Sequence, residues 1–110
     1  MICGVLAQAT VTDLEAAESW YTLLFESAPS ARPMPGLLEW HLGDSFGVQV
    51  WSEPGRAGRS TIVLEETDLD LAAARLEQEG IRHDGPQPGG GARILQLEDP
   101  DGNRIVLSGT

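Results

Sequence analysis

The strongest structural signal in this chain is the segment Leu97-Glu98-Asp99-Pro100-Asp101-Gly102-Asn103-Arg104-Ile105-Val106-Leu107. Its centre predicts a turn, because Pro100 presets φ near about −65° and both Gly102 and Asn103 tolerate a positive φ. The aspartates on either side of the proline can hydrogen-bond the local backbone. Alternating apolar residues flank the turn on both sides. The stretch therefore predicts a β-hairpin that ends in the last strand of the fold.

Length and composition indicate one globular domain. The chain has 110 residues, of which 41% are hydrophobic and 22% charged, as is usual for proteins that bury a core. No apolar run approaches the roughly 20 residues that span a bilayer, and no basic segment precedes a long apolar one near the first residue. Cys3 is the single cysteine, so an internal disulfide is excluded. We predict a cytoplasmic protein with no membrane contact, in which Cys3 is a buried structural thiol.

The charge of the chain is strongly acidic. The formal net charge is −10, and all seven basic residues are arginine. Such a field repels nucleic acids and anionic membranes and attracts cationic ligands. The simpler explanation is that the charge keeps the protein in solution. We predict no nucleic-acid partner.

The first half of the chain predicts a strand, a helix and a hairpin. Asp13 is placed to cap a helix of about residues 13–27, which ends before Pro29. The remaining predicted elements of this half are a strand at 2–11, a loop or poor edge strand at 30–36, paired strands at 37–42 and 46–52, and a linker at 53–59.

The second half repeats this order. Asp68-Leu69 repeats Asp13-Leu14 about 55 residues later and begins a second helix, for which Gly80 is a plausible C′ residue. The other predicted elements are a strand at 60–66, a short strand at 81–84, a flexible loop at 85–91, and the terminal hairpin of 93–98 and 103–108. Almost the whole chain takes part in the repeat, which predicts two tandem βαβββ modules; a generic α+β sandwich of the ferredoxin-like kind is the alternative.

The D-P-D-G-N turn at Asp99–Asn103, running directly into a final strand, resembles the vicinal-oxygen-chelate (VOC) superfamily of glyoxalases, bleomycin-resistance proteins and dioxygenases. The resemblance implies a single α+β domain over residues 1–110, with modules of about 1–55 and 60–110. It also implies that the modules form curved mixed sheets around a cleft.

The resemblance further implies a metal site built from the first and last strands of each module. In this family the first-strand ligand stands seven residues before the helix-opening aspartate. The matching positions are Leu6 and Thr61 on the first strands and Gln49 and Val106 on the last. Leucine and valine cannot ligate an ion, and threonine is a poor ligand. We therefore predict neither a metal nor a catalytic residue of the family type, and no cofactor.

Each module has one aliphatic sheet face, expected to pack on its helix, and one face of mixed polarity, called here the mixed face. The resemblance implies that a cavity lies on this side and that short chains form homodimers. Trp51 is the best candidate to stack on a flat or cationic ligand. The predicted ligand-binding residues are Leu6, Gln8, Glu39, His41, Gln49, Trp51, Thr61, Val63, Gln96 and Val106.

Three further side chains receive structural interpretations. Trp20 is predicted to belong to the core stripe of the first helix, and Trp40 to the aliphatic face of its strand. His83 precedes a Gly-Pro turn and is predicted to be an exposed residue at a strand end.

The function predicted first is small-molecule binding. Metal-free bleomycin-resistance-type members of the family sequester a drug, so the resemblance implies a dimeric protein that sequesters a drug or metabolite, cationic or aromatic, in the cytoplasm. A glyoxalase-like lyase or isomerase is the alternative, and it would need acid–base work by Glu39, His41 or Glu65. A dimeric interaction or regulatory module is the third hypothesis. Whether the protein is an enzyme stays open, and the altered ligand positions favour a binder.

Overall fold

Two successive units of strand, helix and three strands make up the chain. The computed structural model describes all 110 residues, Met1–Thr110. The elements are β1 (Val5–Val11), α1 (Leu14–Phe25), β2 (Ala31–Met34), β3 (Leu37–His41), β4 (Phe46–Ser52), a 3-10 turn (Pro54–Arg56), β5 (Thr61–Glu66), α2 (Leu69–Gln78), β6 (Gln87–Gly89), β7 (Ala92–Glu98) and β8 (Arg104–Gly109).

The strands form two four-stranded mixed sheets, in the orders β1-β4-β3-β2 and β5-β8-β7-β6. In each sheet the first strand of the module lies parallel to the last one, and the other pairs are antiparallel. The predicted α+β fold of two βαβββ modules is confirmed. Neither helix combines the length and hydrophobicity that crossing a membrane would require.

Both helices begin at the predicted aspartates. Asp13 accepts hydrogen bonds from the backbone N–H groups of Glu15 and Ala16, and Asp68 accepts one from that of Leu71. Gly80 follows the C-cap of α2 with a φ of 82°, as predicted for a C′ glycine. The first helix ends two residues earlier than predicted, because Glu26 turns into the left-handed region at φ 57°.

The aliphatic sheet faces pack against the helices as predicted. Trp40 and Tyr21 are fully buried with ring centroids 5.9 Å apart, and Trp20 is half-buried against the same core. In the second module the inner stripe of α2 and the terminal hairpin are buried together: Leu69, Ala72, Ala73, Leu76, Leu95, Leu97, Ile105 and Leu107. The burial of this apolar area is the main favourable term for the fold.

The Asp99–Asn103 turn joins the two modules. Asn103 is fully buried, and its side-chain amide donates to the carbonyl of Thr10 on β1 at 2.8 Å. The Asn103 Oδ1 accepts from the backbone N–H of Ser60 at 2.8 Å, and the Ser60 hydroxyl accepts from the N–H of Thr10. One turn residue therefore connects β1 of the first module to the beginning of β5 of the second.

The first strand is shorter than predicted. It begins at Val5, because its partner β4 begins at Phe46 and the Val5 N–H already bonds the carbonyl of Ser45 in the preceding turn. The residues before Val5 have no strand to pair with. The prediction that Cys3 is a buried thiol is wrong, since Cys3 is exposed.

The segment after α2 also differs from the prediction. No strand forms at 81–84, because the half-buried ring of His83 bonds the Ala73 carbonyl through Nε2 and accepts the Gly85 N–H at Nδ1. These bonds hold the segment against α2 instead of leaving His83 exposed at a strand end. The short strand is β6, and the supposed flexible loop contains β6 and a two-residue turn. Gly90 (φ 57°) and Gly91 (φ 80°) give that turn the positive φ values of a type I′ hairpin.

Candidate ligand-binding site

Four of the predicted polar residues form one hydrogen-bonded row across the first sheet. They come together because they alternate onto the same face and because β4 places Gln49 between Glu39 on β3 and Gln8 on β1. His41 Nε2 lies 3.0 Å from Glu39 Oε1, and Gln49 Nε2 donates to Glu39 Oε2 at 3.1 Å. Gln8 Nε2 donates to Gln49 Oε1 at 2.7 Å. We call this set the polar row.

The polar row carries one fixed negative charge. The Glu39 carboxylate uses both oxygens within the row, and its side chain is only 14% exposed, whereas that of His41 is 53% exposed. No arginine pairs with Glu39, so a protonated His41 or a bound cation is what can balance its charge. At the ends of the row, Gln8 Oε1 and His41 Nδ1 make no hydrogen bond within the chain, which leaves both atoms free for a ligand.

Trp51 lies beyond the polar row on β4 and is held from two sides. Its indole N–H donates to Glu53 Oε1 at 2.9 Å. Its ring packs over Gly36, where an added Cβ would lie 3.3 Å from the ring and where φ is +87°. Glycine is therefore required under the ring. Gly36 and Glu53 were not predicted as site residues from the sequence. The signal that could have identified Glu53 was its position two residues after Trp51 in the chain.

The second sheet has no polar row. One backbone hydrogen bond closes each hairpin, from the Leu42 N–H to the Phe46 carbonyl in the first module and from the Asp99 N–H to the Asn103 carbonyl in the second. Counted from these bonds, Gln96 and Val106 occupy the positions that Glu39 and Gln49 occupy in the first module. Val63 lies beside Val106 and is 61% exposed, and Thr61 lies beside Arg104. No hydrogen bond joins the predicted ligand-binding residues of this sheet, Thr61, Val63, Gln96 and Val106, to one another or to the polar row.

The side chains present do not fit the metal site that the family resemblance implies. The strand register places Gln8 beside Gln49 and Val63 beside Val106, whereas Leu6 lies beside Gly47. On the first strands, the side chains that lie beside Gln49 and Val106 are therefore Gln8 and Val63, and not the predicted Leu6 and Thr61. Two amides and two hydrocarbon side chains are a poor donor set. No group of three or more His, Cys, Asp or Glu residues converges anywhere in the chain.

Two hollows lie near these residues. One, of about 500 Å³, adjoins the polar row and is lined by Leu6, His41 and Phe46 among others. The other, of about 1000 Å³, lies beside the end of β7, and Gln96 is the only predicted ligand-binding residue on its wall. In a single chain the ten predicted residues therefore do not line one common cavity.

Comparison with known proteins places these features in context. The family model described as the Glyoxalase/Bleomycin resistance protein/Dioxygenase superfamily matches residues 5–107. No curated protein sequence matches the chain.

Several solved structures resemble the fold over nearly its whole length. A glyoxalase/bleomycin resistance protein from Catenulispora acidiphila DSM 44928 is 25% identical, with a TM-score of 0.88 and 97% of each chain covered. TnmS3, an antibiotic-binding protein from Streptomyces sp. CB03234, is 25% identical, with a TM-score of 0.78 and coverage of 99% of this chain and 98% of its own. A bleomycin-binding protein in complex with bleomycin is 20% identical, with a TM-score of 0.81 and coverage of 96% and 97%; at that identity the likeness concerns the fold.

Proposed function

We propose, since the chain belongs to the Glyoxalase/Bleomycin resistance protein/Dioxygenase superfamily, that it binds a small cationic or aromatic molecule on the mixed face of the first sheet and holds it without chemical change. Relatives with this fold include an antibiotic-binding protein and a bleomycin-binding protein, which supports ligand binding as the class of function. Sequestration of a drug or metabolite without a metal, in the cytoplasm, is the specific form that we propose.

The polar row is the observation that carries this proposal. It fixes a shielded carboxylate, Glu39, next to two amides and an imidazole, and Glu39 makes no ion pair with an arginine. Pre-positioned polar groups of this kind orient a ligand, and burial against apolar side chains supplies most of its affinity. Trp51 provides an immobilised aromatic face on the same strand, which suits a cation or a flat ring.

Leu6 and Val63, two of the other predicted ligand-binding residues, enter the proposal through a homodimer. Leu6 is 41% exposed and Val63 is 61% exposed, and both alternate onto the mixed faces of their sheets. Apolar groups this open in one chain are typical of a surface that another chain covers. We propose that a second copy covers this surface and closes the binding site over the polar row.

Tryptophan fluorescence tests the binding proposal. The probes are matched cationic, neutral and anionic aromatic compounds, with bleomycin among the cations. We expect the cations to change the emission of Trp51, and Trp51→Phe to abolish that change. Glu39→Gln should weaken cation binding about tenfold to a hundredfold, because it removes the charge and keeps the shape. Glu79→Gln, which alters an exposed carboxylate at the end of α2 and away from the mixed face, is the matched control and should leave binding unchanged. Equal effects of the two substitutions, or no response to any cation, would contradict the proposal.

Recovery of the ligand separates a binder from a glyoxalase-like enzyme. After prolonged incubation with excess compound, mass spectrometry should return the probe unaltered. A new product whose formation disappears in Glu39→Gln would instead establish acid–base catalysis by this site.

A further inference from the structure

The outer edge of β7 carries unpaired backbone groups. The Asp99 N–H bonds the Asn103 carbonyl at 3.0 Å, so by antiparallel alternation Leu97 and Leu95 direct their backbone groups toward β8. Gln96 and Glu98 therefore direct their N–H and C=O groups away from β8. Beyond Ile94, which pairs with Gln87 of β6, no backbone bond reaches Gln96 or Glu98 from that side.

The first module shows how the equivalent edge is closed. There Glu39 and His41 occupy the registers of Gln96 and Glu98. The Ser30 N–H donates to the Glu39 carbonyl at 2.7 Å, and the Ser30 hydroxyl accepts the His41 N–H at 2.9 Å. The chain thus satisfies these positions in one module and leaves them open in the other.

His83 is the reason that the second edge stays open. Extending the β6–β7 register would place Gly85 opposite Gln96 and His83 opposite Glu98. The Gly85 N–H donates instead to His83 Nδ1, and His83 Nε2 bonds the Ala73 carbonyl on α2. The segment is therefore tied to the helix, and a gap separates it from the strand.

That gap is the larger of the two hollows, a groove of about 1000 Å³. Gln96 and Glu98 line one side of it, and Ile81 and His83 line the other; Trp20 and Pro100 also belong to its wall. Its exposed charged groups are three carboxylates, Glu77, Asp84 and Glu98, and two arginines, Arg82 and Arg104, which gives an excess of one negative charge. The whole chain adds a net charge of −10.

We propose that this groove binds an extended, basic peptide segment of another protein, which adds as a strand to the free edge of β7. The spacing of the open groups favours a peptide, because N–H and C=O groups that recur at every second residue match the backbone of an extended chain. A segment of about five residues, roughly 17 Å long, fills the place that a longer β6 would take. The excess carboxylate in the groove and the net charge of −10 favour lysine or arginine in the segment.

The probe is the blocked peptide acetyl-Thr-Lys-Val-Lys-Thr-amide, added to isotopically labelled protein in an NMR titration. We expect the amide resonances of Gln96 and Glu98 to shift and their hydrogen exchange to slow about tenfold or more, because a paired amide must open before it exchanges. The same peptide N-methylated at alternate residues should bind at least about tenfold more weakly, and so should its analogue with glutamate in place of lysine.

Two variants at one position separate backbone pairing from side-chain contact. Gln96→Pro removes the outward N–H and leaves the bonds between Leu95, Leu97 and β8 in place; proline is tolerated on edge strands. It should weaken the peptide about tenfold, whereas Gln96→Ala, which keeps the N–H, should bind within about twofold of the original chain. If Gln96→Pro does not fold, the N-methylated peptide supplies the same comparison on the unaltered protein.

Three results would overturn the inference. Unchanged exchange at Gln96 and Glu98 in saturating peptide would show that no strand is added. Equal affinity of the N-methylated peptide would show that the groove recognises side chains only. Protection of these amides that rises with protein concentration alone would identify a second copy as the occupant.

Discussion

The Tyr21 hydroxyl donates a 2.7 Å hydrogen bond to the carboxylate of Asp99, and this bond joins the helix of the first module to the terminal hairpin of the second. Both residues are buried, at 0% and 5% exposure. Asp99 also accepts hydrogen bonds from the backbone N–H groups of Asp101 and Asn103 and from the Asn103 amide. Hydrogen-bond donors, and not a cationic side chain, therefore stabilise the buried carboxylate of Asp99.

Tyr21→Phe is expected to lower the free energy of unfolding by about 1.5–3 kcal/mol, because it removes one donor to a buried carboxylate and preserves the ring that packs on Trp40. Urea denaturation measures the change. Ser19→Ala removes an exposed hydroxyl on the same helix and should cost less than about 0.5 kcal/mol. Similar losses for the two variants would show that the bond to Asp99 contributes nothing specific.

The same contact predicts a loss of stability in alkali. Burial, reinforced by the Asp99 carboxylate, raises the pKa of Tyr21 far above its ordinary value. Because the pKa is higher in the folded than in the unfolded state, the contribution of the Tyr21 hydroxyl to the free energy of unfolding is fully present below the unfolded pKa of about 10. That contribution is lost as the pH rises above this value, by up to about 1.4 kcal/mol per pH unit. The chain has one tyrosine, so tyrosinate absorbance reports Tyr21 alone. It has no lysine that would titrate in the same pH range. Tyrosinate should form only as the protein unfolds.

Tyr21→Phe is the control for that pH dependence. Its stability should vary less above pH ~10 than that of the original chain, because the ionising group is gone. Tyrosinate absorbance in a protein that remains folded near pH 10 would contradict the assignment of a raised pKa to Tyr21.

Asn103→Ala is expected to lower the free energy of unfolding by about 2–4 kcal/mol. The substitution leaves the N–H of the half-buried Ser60 without its acceptor and deprives Asp99 of one donor. Asp101→Ala, in the same turn, removes an exposed bond to the Thr12 N–H and should cost less than about 1 kcal/mol. Chemical denaturation of both variants decides the matter, and a smaller loss for Asn103→Ala would exclude a central role for its amide.

Arg75→Met is expected to cost about 1–2 kcal/mol. The guanidinium of Arg75 on α2 donates to the carbonyls of Leu23 and Leu24 at the end of α1 and lies 3.5 Å from the Glu26 carboxylate. A cation at a helix C-terminus stabilises the helix dipole, and here it also joins the two modules. Arg59→Met, an exposed arginine, is the control and should change stability by less than about 0.5 kcal/mol in thermal denaturation.

Local signals in the sequence predicted most of the fold. The aspartate caps, the alternation of apolar residues and the Asp-Pro-Asp-Gly-Asn turn are signals that act over a few residues. Both helix caps and the terminal hairpin form as these signals predict. Alternation also predicted the common face of Gln8, Glu39, His41 and Gln49. It could not order them into a row, because their order depends on the parallel register of β1 against β4, which are far apart in the chain.

The errors arose where a distant contact overrode local preference. The strand expected at 81–84 gave way to bonds from His83 to α2 and to Gly85, and Cys3 remained exposed because β4 ends its pairing at Val5. The two modules and the polar face of each strand could be predicted from the amino-acid sequence, since both follow from periodicity. The polar row, the connection of the modules through Asn103 and the open edge of β7 became visible only in the folded chain. Each of these depends on hydrogen bonds between residues whose separation in the chain no local pattern encodes.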